Sequence, residues 1–161
     1  GSSTANELKM VFGSATTVIS HAAALTNGVN TYSGMSGCTM TQLDNSTTLY
    51  PYARAVLGIP DTFAAAPTAG GTVDLYMTLD DIDGTSDETP LPAASDIEYL
   101  AKYVGSFVVD NQDAAQIKPI VISLEGVQKA QFYILNSSGQ QISYSSNPTT
   151  VKVTPFSYMP T

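Results

Sequence analysis

The chain has 161 residues, of which only 12% are charged, and it carries a formal charge of −8 and a single cysteine, Cys38. That length suits one domain, able to bury about 70% of its unfolded surface without a metal or disulfide staple. The acidic balance argues against nucleic acid or an anionic membrane as partners, since both call for clustered cations, and the six basic residues Lys9, Arg54, Lys102, Lys118, Lys129 and Lys152 are scattered.

One cysteine forms no disulfide within the chain, which points to a reducing place of synthesis. No apolar run approaches the ~20 residues a membrane helix needs, and residues 1–9 show no basic stretch leading into an apolar one, so the expectation is a soluble chain. With so few charges, the surface has to be built from hydroxyls, amides and small side chains, a composition suited to a β-rich protein packed beside neighbours.

Residues 1–6 are small and polar, so residues 1–9 read as an N-terminal arm and residues 10–161 as a single β-sandwich domain. Residues 7–12 and 16–19 are β-leaning, and Ser20 is placed to cap one helical turn over residues 21–25 that ends at Asn27 and Gly28. Residues 28–46 read as a polar loop anchored by Met35, Cys38 and Met40. Small and large side chains alternate over residues 52–57 until Gly58 and Pro60 end the run. Residues 64–71 form a flexible connector of small residues.

Over residues 72–80, Val73, Leu75, Met77 and Leu79 take one face and Asp74, Tyr76 and Thr78 the other, which predicts a strand with one buried and one wet side. An acidic loop spans residues 80–96, within a segment that holds seven of the fourteen carboxylates. Strand character resumes over residues 99–110 and 117–124, the latter with Ile120, Ile122 and Leu124 on one face and Pro119 restricting its start.

Residues 130–135, a turn at 136–139, a return over 140–144 and a period-two run over 149–156 predict an antiparallel meander. Pro155 lacks an N–H, so it either ends the last strand or puts it on an edge. The fold class is all-β: an antiparallel β-sandwich with long irregular loops and little helix, a jelly roll being its candidate topology and a closed barrel the second choice.

Little here is reactive. His21, the only histidine, stands beside three alanines, and Cys38 lies in a Ser/Gly loop without a nucleophile's context, so both read as structural. Asp81, Asp83, Asp87 and Glu88 resemble a calcium loop, but the glycine directly follows Asp83 and Pro92 takes the twelfth position, where a bidentate Glu is needed. The loop is therefore read as solvated. The nine tyrosines read as core and interface residues, and no tryptophan offers a sugar platform.

Three stretches carry a resemblance: Gly70-Gly71-Thr72 opening a hydrophobic strand, Gly105-Ser106-Phe107, and Phe132-Tyr133-Ile134-Leu135-Asn136 leading to Gly139-Gln140. Together, over residues 50–156, they resemble small virion proteins of tailed bacteriophages. The resemblance implies a non-enzymatic, cofactor-free β-sandwich that decorates a capsid, made in the host cytoplasm and bound to the outer capsid surface. Its partner would be the major capsid protein, and its state a homo-oligomer, with a trimer favoured. The expected attachment segment is the arm, residues Gly1, Ser2, Ser3, Thr4, Ala5 and Asn6. The alternative is a tail or fibre module that binds host-surface glycan.

Overall fold

The structure is a computed structural model that describes residues 8–80 and 91–160. In chain order the elements are β1 (Leu8–Phe12), β2 (Thr16–His21), β3 (Cys38–Met40), β4 (Leu43–Asp44), β5 (Tyr52–Ile59) and β6 (Thr72–Asp80). There follow α1 (Ile97–Leu100), β7 (Lys102–Val108), β8 (Gln116–Ser123), β9 (Lys129–Ser137) and β10 (Thr149–Pro160). One sheet runs β3-β2-β10-β5-β8 with β1 also on β10, and the other runs β4-β9-β6-β7. Every strand pair is antiparallel.

Without β1 and β3, the two runs β2-β10-β5-β8 and β4-β9-β6-β7 have the connectivity of a jelly roll: except for the β6–β7 pair, each successive strand from β4 onward crosses to the opposite sheet. The inner faces come from period-two alternation. Ala53, Ala55, Leu57, Val151 and Val153 of one sheet meet Val73, Leu75, Met77, Phe107, Phe132 and Ile134 of the other, all buried. Each large side chain contributes about 1.5–3 kcal/mol through that burial. Along one side the sheets close where β7 meets β8, and a Cβ at Gly105 would stand 2.9 Å from Ile120 Cδ1.

A second, smaller cluster lies outside the four-stranded sheet. Leu91 and Ile97 pack over Tyr133, with Tyr32, Met40, Tyr76, Ala101 and Leu135 around them. These contacts hold α1 against that outer face, where the sequence had suggested only loop and strand.

Several expectations are corrected. No helical turn forms over residues 21–25: His21 pairs with Thr149 and Cys38, and Leu25 bridges to Ile142. A single turn carries the full nucleation cost of a helix, and cross-strand pairing outcompetes it. The meander is also absent, because both edges of β9 are taken. One belongs to β6, the other to β4 and to residues 28–31, with Thr31 N donating to the Ile134 carbonyl and Gly28 N to that of Asn136. The returning segment meets other partners instead, Ile142 bridging to Leu25 and Phe63.

The connector at 64–71 is tied down: Ala64 N donates to Gln141 O and Thr68 N to Ser138 O. Pro155 neither ends its strand nor lies on an edge, since β10 continues to Pro160 between β5 and the β1–β2 side. Asp80, expected in an exposed loop, is buried at the end of β6 and accepts a hydrogen bond from Gln42 Nε2.

Candidate binding groove and docking face

The expected attachment residues Gly1, Ser2, Ser3, Thr4, Ala5 and Asn6 lie outside the described residues, as do the calcium-loop residues Asp81, Asp83, Asp87 and Glu88. Among the described residues, no group of three or more His, Cys, Asp or Glu is placed to hold a metal. His21 is wholly buried, its Nε2 within 3.4 Å of the Ala24 carbonyl, and burial pulls its pKa below the usual imidazole range. Burial likewise pushes the Cys38 thiol up to about 11, which leaves it protonated and unreactive near neutrality.

A groove of about 700 Å³ opens on the outer face of the four-stranded sheet. Leu135 and Ser137 of β9 line its sheet side, Glu98 and Tyr99 stand on α1 with Ser95 just before it, and Asn27, Thr68 and Gly70 come from neighbouring turns. Gly28 and Gly70 have φ of +82° and +78°, and no atom lies within 4 Å of where a Cβ would stand, so both present bare backbone to open space. Asn27 Oδ1 accepts from Gly139 N at 2.9 Å, which leaves Nδ2 available as a donor. Tyr99 is 84% exposed.

Behind Ser137 lies a polar cluster that β6 and its two neighbours assemble. Asp74 Oδ1 accepts from Thr72 Oγ1 at 2.8 Å and Ser106 Oγ at 2.7 Å, while Oδ2 accepts from Ser137 Oγ at 3.0 Å. Tyr103 shares a hydrogen bond with Ser106 Oγ at 2.5 Å and packs edge-on against Tyr76, ring centroids 5.5 Å apart. The Tyr76 phenol is held above its ordinary pKa first by burial, then by the negative charges of Asp74 and Glu98 and by Tyr103.

The outer face of the six-stranded sheet is different in kind. Phe12, Tyr52, Phe156 and Tyr158 form an aromatic cluster with centroid separations of 5.6–6.0 Å, and the Arg54 guanidinium lies 5.7 Å from the centre of the Phe12 ring. Along β8, Ile117 is 74% and Val121 63% exposed. The strands of this sheet contain no carboxylate, and Arg54 and Lys152 stand on this face, while Lys118, opposite the buried Leu57, is ion-paired with Asp110 at 2.9 Å. Past Phe156, β10 pairs only with β1, so the two extend as a ribbon whose Met10, Tyr158 and Met159 are exposed.

Neither surface is evident in the sequence. The groove joins residues from four separate stretches, and the segregation of charge between sheets shows only once the strand order is known. One signal was present: strands β1, β2, β3, β5, β8 and β10 all lack Asp and Glu.

No family model matches the chain, and no curated protein sequence matches it either. Among solved structures the chain is similar to a carbohydrate-binding module that recognises mannan, TmCBM27, at 8% identity and a TM-score of 0.43, over 95% of this chain and 99% of that one. It is also similar to the infectious bursal disease virus VP2 subviral particle, at 9% identity and a TM-score of 0.24, over 98% of this chain and 42% of that one. The class therefore rests on strand order and faces: a β-sandwich whose two outer surfaces suit a binding or structural role.

Proposed function

We propose that this chain is a non-enzymatic virion structural protein that decorates and stabilises a bacteriophage capsid by binding the major capsid protein lattice. The observation that carries the reading is the outer face of the six-stranded sheet. An exposed apolar and aromatic surface of this kind marks an interaction site, and here Tyr52, Phe12, Tyr158, Val121 and Ile117 share it with Arg54 and Lys152, on strands that contain no Asp or Glu. A partner that fits it is apolar at the centre and acidic at the rim, so that charge steers encounter while buried area holds the complex. Repetition adds to this, since an oligomer that engages several lattice sites gains avidity from modest single contacts.

The arm, residues 1–6, supplements that face in the same proposal, because it leads into β1 at the ribbon. Tyrosines and an arginine are the side chains from which interface anchors are most often built.

Two measurements test the reading. Labelling virions of the encoding phage with an antibody to this chain is expected to mark heads; label confined to tails would replace the proposal with the fibre-module reading. In co-sedimentation with capsids freed of the protein, Tyr158→Asp combined with Arg54→Glu is expected to weaken rebinding at least tenfold, or ~1.4 kcal/mol. Undiminished rebinding of that variant would overturn the choice of face.

A further inference from the structure

We propose that the groove between α1 and the four-stranded sheet is a binding site for a neutral saccharide, with Tyr99 as the stacking platform and Glu98 and Asn27 as the groups that hold its hydroxyls. This assignment is independent of how the chain attaches to a capsid.

The lining selects the ligand class. At about 700 Å³ the groove falls within the ~300–1,000 Å³ usual for small-molecule sites. Among the described residues none that lines it is basic, and the carboxylate of Glu98 stands in it with that of Asp74 behind Ser137. Phosphates, sulfated or sialylated glycans and nucleic acids are therefore repelled. Neither is the lining that of a lipid or drug-like site, because Ser95, Thr68, Ser137, Asn27 and the bare backbone at Gly28 and Gly70 are interspersed among the few apolar groups.

A pyranose matches both halves of this surface. Its hydroxyls donate to a carboxylate and accept from an amide, which Glu98 and the Nδ2 of Asn27 provide; Asn27 is steadied through Oδ1 by Gly139 N at 2.9 Å. The C–H face of the same ring packs against an aromatic face, and Tyr99 at the rim is 84% exposed. The platform is anchored from below: Ile97 is 3% exposed and packs with Leu91 on Tyr133, which holds α1 to the sheet. Ser137 is set by its hydrogen bond to Asp74, which also takes Thr72 and Ser106. The groove and the aromatic docking face lie on opposite outer surfaces of the sandwich. A protein attached through the six-stranded sheet thus turns the groove away from its support, toward whatever the particle meets.

The test is an amide-NMR titration of the full chain with four neutral tetrasaccharides, built from glucose, mannose, galactose and N-acetylglucosamine, and with sialyllactose as the anionic probe. At least one neutral probe is expected to give saturable shifts at Gly70, Ser137 and Tyr99, with a Kd in the micromolar to millimolar range. Tyr99→Ala, which changes an exposed side chain, is expected to weaken that binding at least tenfold, and Glu98→Gln to weaken it while leaving sialyllactose unbound. Tyr158→Ser, on the opposite face, is expected to leave binding unchanged. Absence of saturable groove shifts with all four neutral probes would overturn the proposal, as would binding indifferent to Tyr99→Ala or equal binding of sialyllactose. Capsid rebinding by Tyr99→Ala is expected to be normal, so failure of this site and failure of the docking face read out separately.

Discussion

The backbone N–H of Gly13 donates to the carbonyl of Pro155 at 2.7 Å. In an antiparallel strand a residue's N–H and C=O point to the same side, so the donor that Pro155 lacks would have faced the break between β1 and β2. On its other side β10 keeps an unbroken ladder with β5, Pro155 opposite Ala53. A proline is tolerated in a central strand because the neighbour on its nitrogen's side is interrupted there.

Gly13 is constrained by the same crossing, since a Cβ on it would stand 2.9 Å from Tyr50 Cε2. Gly13→Val is expected to cost ~1–3 kcal/mol by overpacking, whereas Pro155→Ala is expected to change stability by less than ~1 kcal/mol. Urea denaturation of the two variants checks this. Equal losses would mean that the buried ring of Pro155 contributes as much as the space kept open at Gly13.

Within β6, Leu75 is fully buried and Asp74 faces outward with three hydroxyl donors. Leu75→Ala is expected to cost ~2–5 kcal/mol through lost burial and the cavity left behind. Asp74→Ala loses hydrogen bonds at a partly wet site, so about 1 kcal/mol is expected. Thermal melts distinguish them, and similar shifts would contradict the assignment of faces.

Asp61 fixes the turn before β10. Its Oδ2 accepts the backbone N–H groups of Ser145, Ser146 and Asn147 at 2.9, 2.9 and 2.8 Å. These bonds favour the ionised form, with those of Asn147, Ser145 and Ser146 the leading causes, and hold the carboxyl well below its usual range. A depressed folded pKa contributes stability that is present above the unfolded value of about 3.9 and is lost as pH falls below it. Asp61→Asn is expected to flatten the decline of Tm below that pH and to speed amide exchange at residues 145–147. An unchanged acid slope would show that the contacts are not kept in solution.

The inner faces of β6, of β5 and of the second half of β8 were legible because the period-two pattern reports the core directly. The outer face of β6, expected to be wet, is instead covered where α1 folds over it: Thr78 is fully buried with its Oγ1 3.1 Å from the Tyr133 hydroxyl, and Tyr76 packs in the same cluster. The jelly roll was legible only as a class. Which strand neighbours which depends on long-range pairings such as Thr150 with Gly58 and Ala130 with Leu79, and a single sequence does not encode these locally. Residues 21–25 misled because short alanine runs favour helix, while Leu25 is buried and bridged to Ile142. The groove was illegible for a further reason: Asn27, Thr68, Glu98, Tyr99 and Ser137 are ordinary surface residues singly, and only α1 folding over Tyr133 brings them to one rim.

The carboxylates beside the groove leave a signature that needs no ligand. Tyr76 is held above its ordinary pKa by burial first, and then by Asp74, Glu98 and Tyr103. A raised folded pKa contributes stability that is complete below the unfolded value of about 10 and is lost as pH rises through the folded one, so the sandwich is expected to weaken at alkaline pH. Removing one negative neighbour makes the phenolate less unfavourable. Asp74→Asn and Glu98→Gln are therefore each expected to lower the pKa of Tyr76, followed through the ¹³C shift of its ring carbon bearing the hydroxyl. Asp74 precedes Glu98 among the causes, so the larger change is expected from Asp74→Asn. Tyr158→Phe, on the opposite face, is expected to leave the titration where it was. A Tyr76 titration indifferent to Glu98→Gln would place α1 farther from β6 than the structure has it, and would remove Glu98 from the rim on which the saccharide assignment depends.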